Sequence, residues 1–338
     1  ILINGKISSL TKSEALKSLP ANSIENIEVI SNPGARYRAS SAGIINIVLK
    51  KGKEIGLNSS FTLNGGYKDY YGGLLTMNHK TKKLNFFTST SFFKRNPITL
   101  VTLENEYFNN GITSSYLNEN RETDANGNGF ISTAGIEFYL SENTTLTTTL
   151  NYTNINAKNK TNTNTTIYDA NNFLTASNNR FNDGRFHDEI VELIVDFEHN
   201  FNKEGKKITS YVNFSKDKER YINKFTNTNS NFINENYIEE NTINNTEASI
   251  TFVNPINETS NYEVGYLGEF GTLPLTYKSN STNSIINYND NVHSIFSVYT
   301  KESSKFYYEL GLRAEFSKYI IDYASLNIEQ TKTYNDLF

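Results

Sequence analysis

The chain has 338 residues, a net charge of −4, a hydrophobic fraction of 37%, 22 Tyr, 22 Phe, no Trp and no Cys. The missing Cys excludes a disulfide framework, thiolate zinc sites and a cysteine nucleophile. The small, evenly spread charge excludes the electrostatic footprint of a nucleic-acid binder.

No apolar run reaches the roughly 18 residues of a transmembrane helix. The opening "ILING" is strand-like and lacks the basic and apolar regions of a signal peptide, so the expectation is a cytoplasmic protein or one that continues upstream. Aromatic residues make up 13% of the chain, too many for a disordered one.

The first expected elements are compact. Residues 11–20, "TKSEALKSLP", carry the one helical pattern: Leu10, Leu16 and Leu19 share a face, Thr11 or Ser13 caps the start, and Pro20 stops it. Two apolar runs follow, Ile24 to Ile30 and Gly43 to Leu49, joined by a bridge holding Pro33, Gly34, Arg36, Tyr37 and Arg38. Asn32, Pro33 and Gly34 predict a tight turn, since Pro fixes φ and Gly accepts positive φ. Ile44, Ile45, Ile47, Val48 and Leu49 predict a strand buried on both faces.

Beyond residue 54 the period changes to two. In "FYYELGLRAEF", Phe306, Tyr308, Leu310, Leu312, Ala314 and Phe316 fall on one face, and Glu309, Arg313 and Glu315 on the other. In "EIVELIVDFEHNF", Val191, Leu193, Val195 and Phe197 oppose Glu192, Asp196 and Glu198. "YEVGYLGEF" and "TTLTTTLNY" repeat the plan. Short polar turns are expected at 81–83, 141–144, 202–206, 255–259 and 301–304. Long Asn-, Ser- and Gly-rich connections are expected at 95–128, 157–184, 220–243 and 273–289, with the short 65–70 as the exception. Short turns at one end and long loops at the other are the plan of an outer-membrane barrel, and segments of about 9–11 residues suffice to cross the bilayer. A soluble sandwich uses the same alternation with the apolar face inward. A meander of about eleven long strands favours the barrel, and a soluble β-rich adhesin stays open.

Few residues suggest chemistry. In "DANGNGFI", Asp124, Asn126, Asn128 and Gly129 copy the first half of a calcium loop, but its last ligand position is Gly135 instead of Glu. A hydrated loop tip is the favoured reading, and no metal or other cofactor is expected. His79, His187, His199 and His293 lack paired ligand spacing. There is no activated Ser and no phosphate-cradling loop, so no enzyme is expected. If the strands form a barrel, Glu192, Asp196, Glu309, Arg313 and Glu315 line its lumen. Arg36 and Arg38 either meet wall carboxylates or are simply solvated. Tyr139, Phe201, Tyr211, Tyr262 and Tyr319 either form interfacial girdles or pack within the sheet.

The first 52 residues resemble the end of the plug domain of TonB-dependent outer-membrane receptors, in the branch whose barrel is called the outer membrane β-barrel family. The resemblance rests on Ile3, Asn4 and Gly5; Leu19 and Pro20; Ile24 to Ile30; Asn32, Pro33, Gly34, Ala35, Arg36 and Tyr37; and Gly43 to Lys51, including Asn46. Gly34 departs from it, since the family often has Ser there. By this resemblance, residues 1–52 are the C-terminal part of a small α+β plug. Residues 53–338 are then the N-terminal half of an all-β membrane barrel, an antiparallel meander and a fragment of a closed barrel of about 22 strands.

The implied function is energy-coupled uptake of a scarce solute (a metal chelate, glycan or peptide) across the outer membrane, with the plug as gate. The implied partners are outer-membrane lipid and an inner-membrane TonB-type complex, with no nucleic acid. The alternative is a plugged barrel with a structural or secretion-associated surface role.

Overall fold

The computed structural model describes residues 1–3, 24–31, 33–37, 43–49, 55–201, 205–229, 233–303 and 306–338. The expected helix at 11–20, Asn32, Arg38 and the expected domain boundary at residues 52 and 53 lie outside the described residues.

The N-terminal part forms a three-stranded sheet of β1 (Leu2–Ile3), β2 (Ile24–Ile30) and β3 (Ile44–Leu49), in the order β1-β3-β2. β3 is central, parallel to β1 and antiparallel to β2. Ile44, Asn46 and Ile47 are buried, but Ile45, Ile27 and Val29 are exposed, so the expectation of burial on both faces is only partly met. The buried Asn46 amide donates to the Glu28 carboxylate directly across the ladder, at 2.8 Å.

The rest is one antiparallel sheet. Its first strands are β4 (Gly56–Gly66), β5 (Tyr70–Lys80), β6 (Leu84–Arg95), β7 (Ile98–Asn109) and β8 (Ile112–Ser141). β9 (Thr144–Asp169), β10 (Leu174–Asn200), β11 (Lys207–Asn227) and β12 (Glu235–Asn257) come next, then β13 (Ser260–Ser279), β14 (Asn283–Glu302), β15 (Tyr307–Tyr323) and β16 (Ile328–Leu337). Strands follow one another as a meander, except that β6 and β7 lie end to end along β8. Pro97 separates these two, since it has no N–H to give the ladder. The sheet therefore has thirteen strands on a path of twelve, ending at β4 and β16, against the eleven expected.

The long connections are a second correction. Residues 95–128, 157–184, 220–243 and 273–289 are mostly hydrogen-bonded strand rather than loop. β8 runs for 30 residues and β10 for 27, far more than the roughly 9–11 that cross a bilayer. At 157–184 most residues on both faces are polar, so hydropathy loses its period there while Thr and Asn keep the ladder going. The tip between β7 and β8 is tight: Asn110 and Gly111 both have positive φ, the requirement of a two-residue hairpin turn.

Burial is inverted relative to a soluble protein. On β10, Glu192 is fully buried while the next residue, Leu193, is 38% exposed. Register extends the contrast across strands. Leu193 pairs with Leu150 and Phe214, which are 47% and 49% exposed, whereas Glu192 lies in a row with the buried Asn151. One face of the sheet is thus covered and holds the buried carboxylates, amides and Arg313 beside Ile190, Ile194, Val292, Phe296 and Val298, and the other carries a bare apolar band. A sandwich core would require the reverse.

Candidate functional site: the strap on the polar wall

Residues 33–37 form a short strap that turns on itself, with the Tyr37 N–H donating to the Gly34 carbonyl at 3.0 Å. It lies against the polar face of β13, β14 and β15. The alternation that turns the even-numbered apolar residues of β15 outward turns Glu309, Gly311, Arg313, Glu315 and Ser317 toward the strap side.

Arg313 is the centre of the contact and is 1% exposed. Its Nε donates to Glu315 at 3.0 Å and one terminal nitrogen donates to Ser294 Oγ at 2.6 Å. The other terminal nitrogen faces the backbone carbonyls of Ala35 at 3.4 Å and Arg36 at 3.5 Å. A planar guanidinium with five donors suits this divided task, and a lysine point charge would not.

Three further contacts fix the strap. Arg36 pairs with Glu263 of β13 at 3.3 Å. A Cβ on Gly311 would sit 2.5 Å from the Ala35 Cβ, so only glycine lets the strap come this close. A Cβ on Gly34 would run into the Glu309 carboxylate. Here Glu309 occupies the space that a side chain at position 34 would need, which accounts for glycine where the resembled family often has serine. Burial pushes the Tyr37 phenol above its usual value; Arg36 opposes this, and Glu263, Glu28 and Glu309 add to it.

A second polar cluster lies farther round the wall. The Glu192 carboxylate accepts from the Asn151 amide at 2.8 Å and the Asn213 amide at 3.0 Å. Nearby, Asp188, Asp217 and Glu219 place carboxylate oxygens within 4.8 Å of one another. Oxygen donors of this kind suit a hard cation, but each of the three also interacts elsewhere in the chain. Asp196 lies on the same face, paired with Thr147 and Tyr211.

Several expected roles are redrawn by strand phase. Asp124, Asn126 and Asn128 belong to β8, where alternate residues stand roughly 6.6 Å apart along an extended chain and do not wrap one ion. Neither the half calcium loop nor the hydrated loop tip survives. Tyr139 and Tyr211 lie on the covered face and donate to Glu137 and Glu247, while Tyr319 stacks on Tyr288. None of these three is a girdle residue. Tyr262 is exposed on the bare face and Phe201 is exposed beside Phe252, as a girdle requires. Gly43 is exposed just ahead of β3.

Glu263, Ser294 and Gly311 were not singled out by sequence. Gly311 had a signal, as the one residue without a side chain in the row of Glu309, Arg313 and Glu315.

A long antiparallel meander that buries charged and amide side chains on its covered face and bares an apolar band on the other defines the wall of an outer-membrane β-barrel. Residues 199–338, from the end of β10 through β16, match the family model described as "Outer membrane protein beta-barrel family". No curated protein matches the chain. The protein resides in the outer membrane, and its fold is all-β.

Proposed function

We propose that the protein is a TonB-dependent receptor-type transporter in which residues 1–52 are the end of a plug seated in the barrel. The observation that carries this reading is the hold of Arg313 on the strap carbonyls, joined by the ion pair of Arg36 with Glu263. A lumen needs polar walls for hydration. It does not need a buried arginine spent on the backbone of a distant segment.

Charge supports the same reading. Residues 1–55 contain eight Lys and Arg against four Glu and no Asp, a balance of +4, and the whole chain is −4, which leaves −8 for the remainder. A basic insert facing an acidic wall is attracted and oriented by it.

In this mechanism no covalent bond changes. Solute engages the mouth of the barrel, and an inner-membrane TonB-type complex pulls on the plug. The strap leaves the wall and a path opens. Breaking a few hydrogen bonds to Arg313 is within reach of a pulling partner, whereas unzipping the wall ladder is not.

The test is genetic. A strain lacking the full-length gene is compared with one lacking the TonB-type complex for growth on scarce ferric chelates, oligosaccharides and peptides. The proposal expects one solute class on which both strains fail alike. Failure of the first strain alone, on surface assembly or secretion rather than uptake, would favour the non-transport role.

A further inference from the structure

We propose that the bare face of β9, β10 and β11, just beyond the apolar band, binds the phosphorylated headgroup of an outer-leaflet glycolipid. This rests on the outer-membrane location and the strand register, and it is independent of the transport reading.

The apolar band on these strands ends at Tyr152, Val191 and Phe214. On β11 the next bare-face residues are Lys216, Lys218 and Arg220, and farther along are His187 and Arg185 on β10 and Lys158 on β9. Two of the cations are answered: Lys218 meets Glu189 at 3.7 Å and Arg220 meets Glu240 at 2.8 Å. Lys158, Arg185 and Lys216 make no ion pair among the described residues, and all three are exposed.

The register makes this more than a scatter of surface charge. Arg185 and Lys158 are direct cross-strand partners, and like charges placed opposite one another destabilise a sheet. Two residues farther along, Lys160 is treated differently, since its direct partners are Asp183 and Asp124. The Arg185 and Lys158 pair lacks such flanking acids in its own row, where its neighbours are Asn126 and Ile222. A bound anion converts this repulsion into a bidentate contact.

Position selects the kind of anion. Lys216 sits at the edge of the apolar band, while Arg185 and Lys158 lie six residues beyond Val191 and Tyr152. That is roughly 15 Å along the membrane normal for a tilted strand. A phospholipid headgroup layer is only about 5–8 Å thick. The ladder of cations therefore fits a tall, sugar-based headgroup carrying several phosphates, with its acyl chains on the apolar band below. Basic residues beside a bilayer surface attract anionic lipid in this way.

The experiment uses the full-length protein in zwitterionic detergent. It is titrated with rough lipopolysaccharide, and with the same lipid after its phosphates are removed by hydrofluoric acid, and bound lipid is read by native mass spectrometry. The wild type is expected to bind the phosphorylated form roughly tenfold tighter. The variant with Lys158→Gln, Arg185→Gln and Lys216→Gln is expected to lose that preference while keeping its strand content by circular dichroism. Equal binding of both lipids, an unchanged preference in the variant, or full displacement by inorganic phosphate would overturn the proposal. A variant that misfolds is replaced by the single Arg185→Gln change, expected to retain part of the preference; an unaltered preference there also overturns it.

Discussion

Arg313 on β15 donates toward the backbone carbonyl of Ala35, 278 positions earlier in the chain. This joins the N-terminal segment to the barrel wall through a side chain that has no exposed surface to spare. Replacing Arg313 by Met should free the strap. Removing one partner from a buried charged network costs about 3–5 kcal/mol, and here Glu315 and Ser294 lose their donor. Amide exchange at residues 34–37 should accelerate by an order of magnitude or more, while the β9 and β10 ladder amides stay unchanged. Arg313→Lys should recover only part of the protection.

Gly34 and Glu309 should be energetically coupled. Gly34→Ala forces the Glu309 carboxylate aside, an overpacking cost of about 1–3 kcal/mol. Glu309→Ala makes room, so the double variant should lose less strap protection than the sum of the two single ones. A double-mutant cycle reads this coupling directly. Additive effects would mean that the strap does not rest on Glu309.

The bare band predicts an asymmetry along the bare face. Leu193→Arg places a charge in lipid and should cost about 2–4 kcal/mol near the midplane, measured by urea unfolding from vesicles. The same change at Asn162, on the bare face of the β9 extension beyond the band, should cost far less.

Tyr221 gives a pH signature outside the membrane band. Burial, with the Glu219, Asp188 and Glu239 carboxylates adding to it, pushes its phenol up to about 12. The folded state thus holds the proton more tightly than the unfolded chain, whose phenols titrate near 10. The linked stability is complete below about pH 10 and fades as pH rises toward 12. Thermal scans across that window should show a smaller decline for Tyr221→Phe. The ultraviolet difference titration between the two proteins should show the lost phenol near 12 rather than 10.

The wall was legible wherever one face was apolar. Val191 to Phe197 and Tyr308 to Phe316 name their faces by alternation alone, and the charged residues between them fall on the covered side. The extensions were not legible. At 157–184 both rows are polar, so hydropathy shows no period, yet the ladder from Lys158 to Lys160 and Arg185 to Asp183 continues unbroken. For the aromatics, nearness to strand ends leaves girdle and sheet packing both open, and phase decides between them: Tyr139, Tyr211 and Tyr319 share the lumen row with Glu137, Asn213 and Arg313. The strap contacts depend on closing a chain segment of more than two hundred residues, which no local pattern encodes.

The central claim is that this sheet is turned inside out, with Leu193 toward lipid and Glu192 toward the lumen. The chain has no cysteine, so single cysteines at positions 191 to 197 can be spin-labelled without background and probed in vesicles with molecular oxygen, which concentrates in lipid. The account predicts high oxygen accessibility at 191, 193, 195 and 197 and low accessibility at 192, 194 and 196. The opposite phase, or uniform accessibility along the strand, would contradict it.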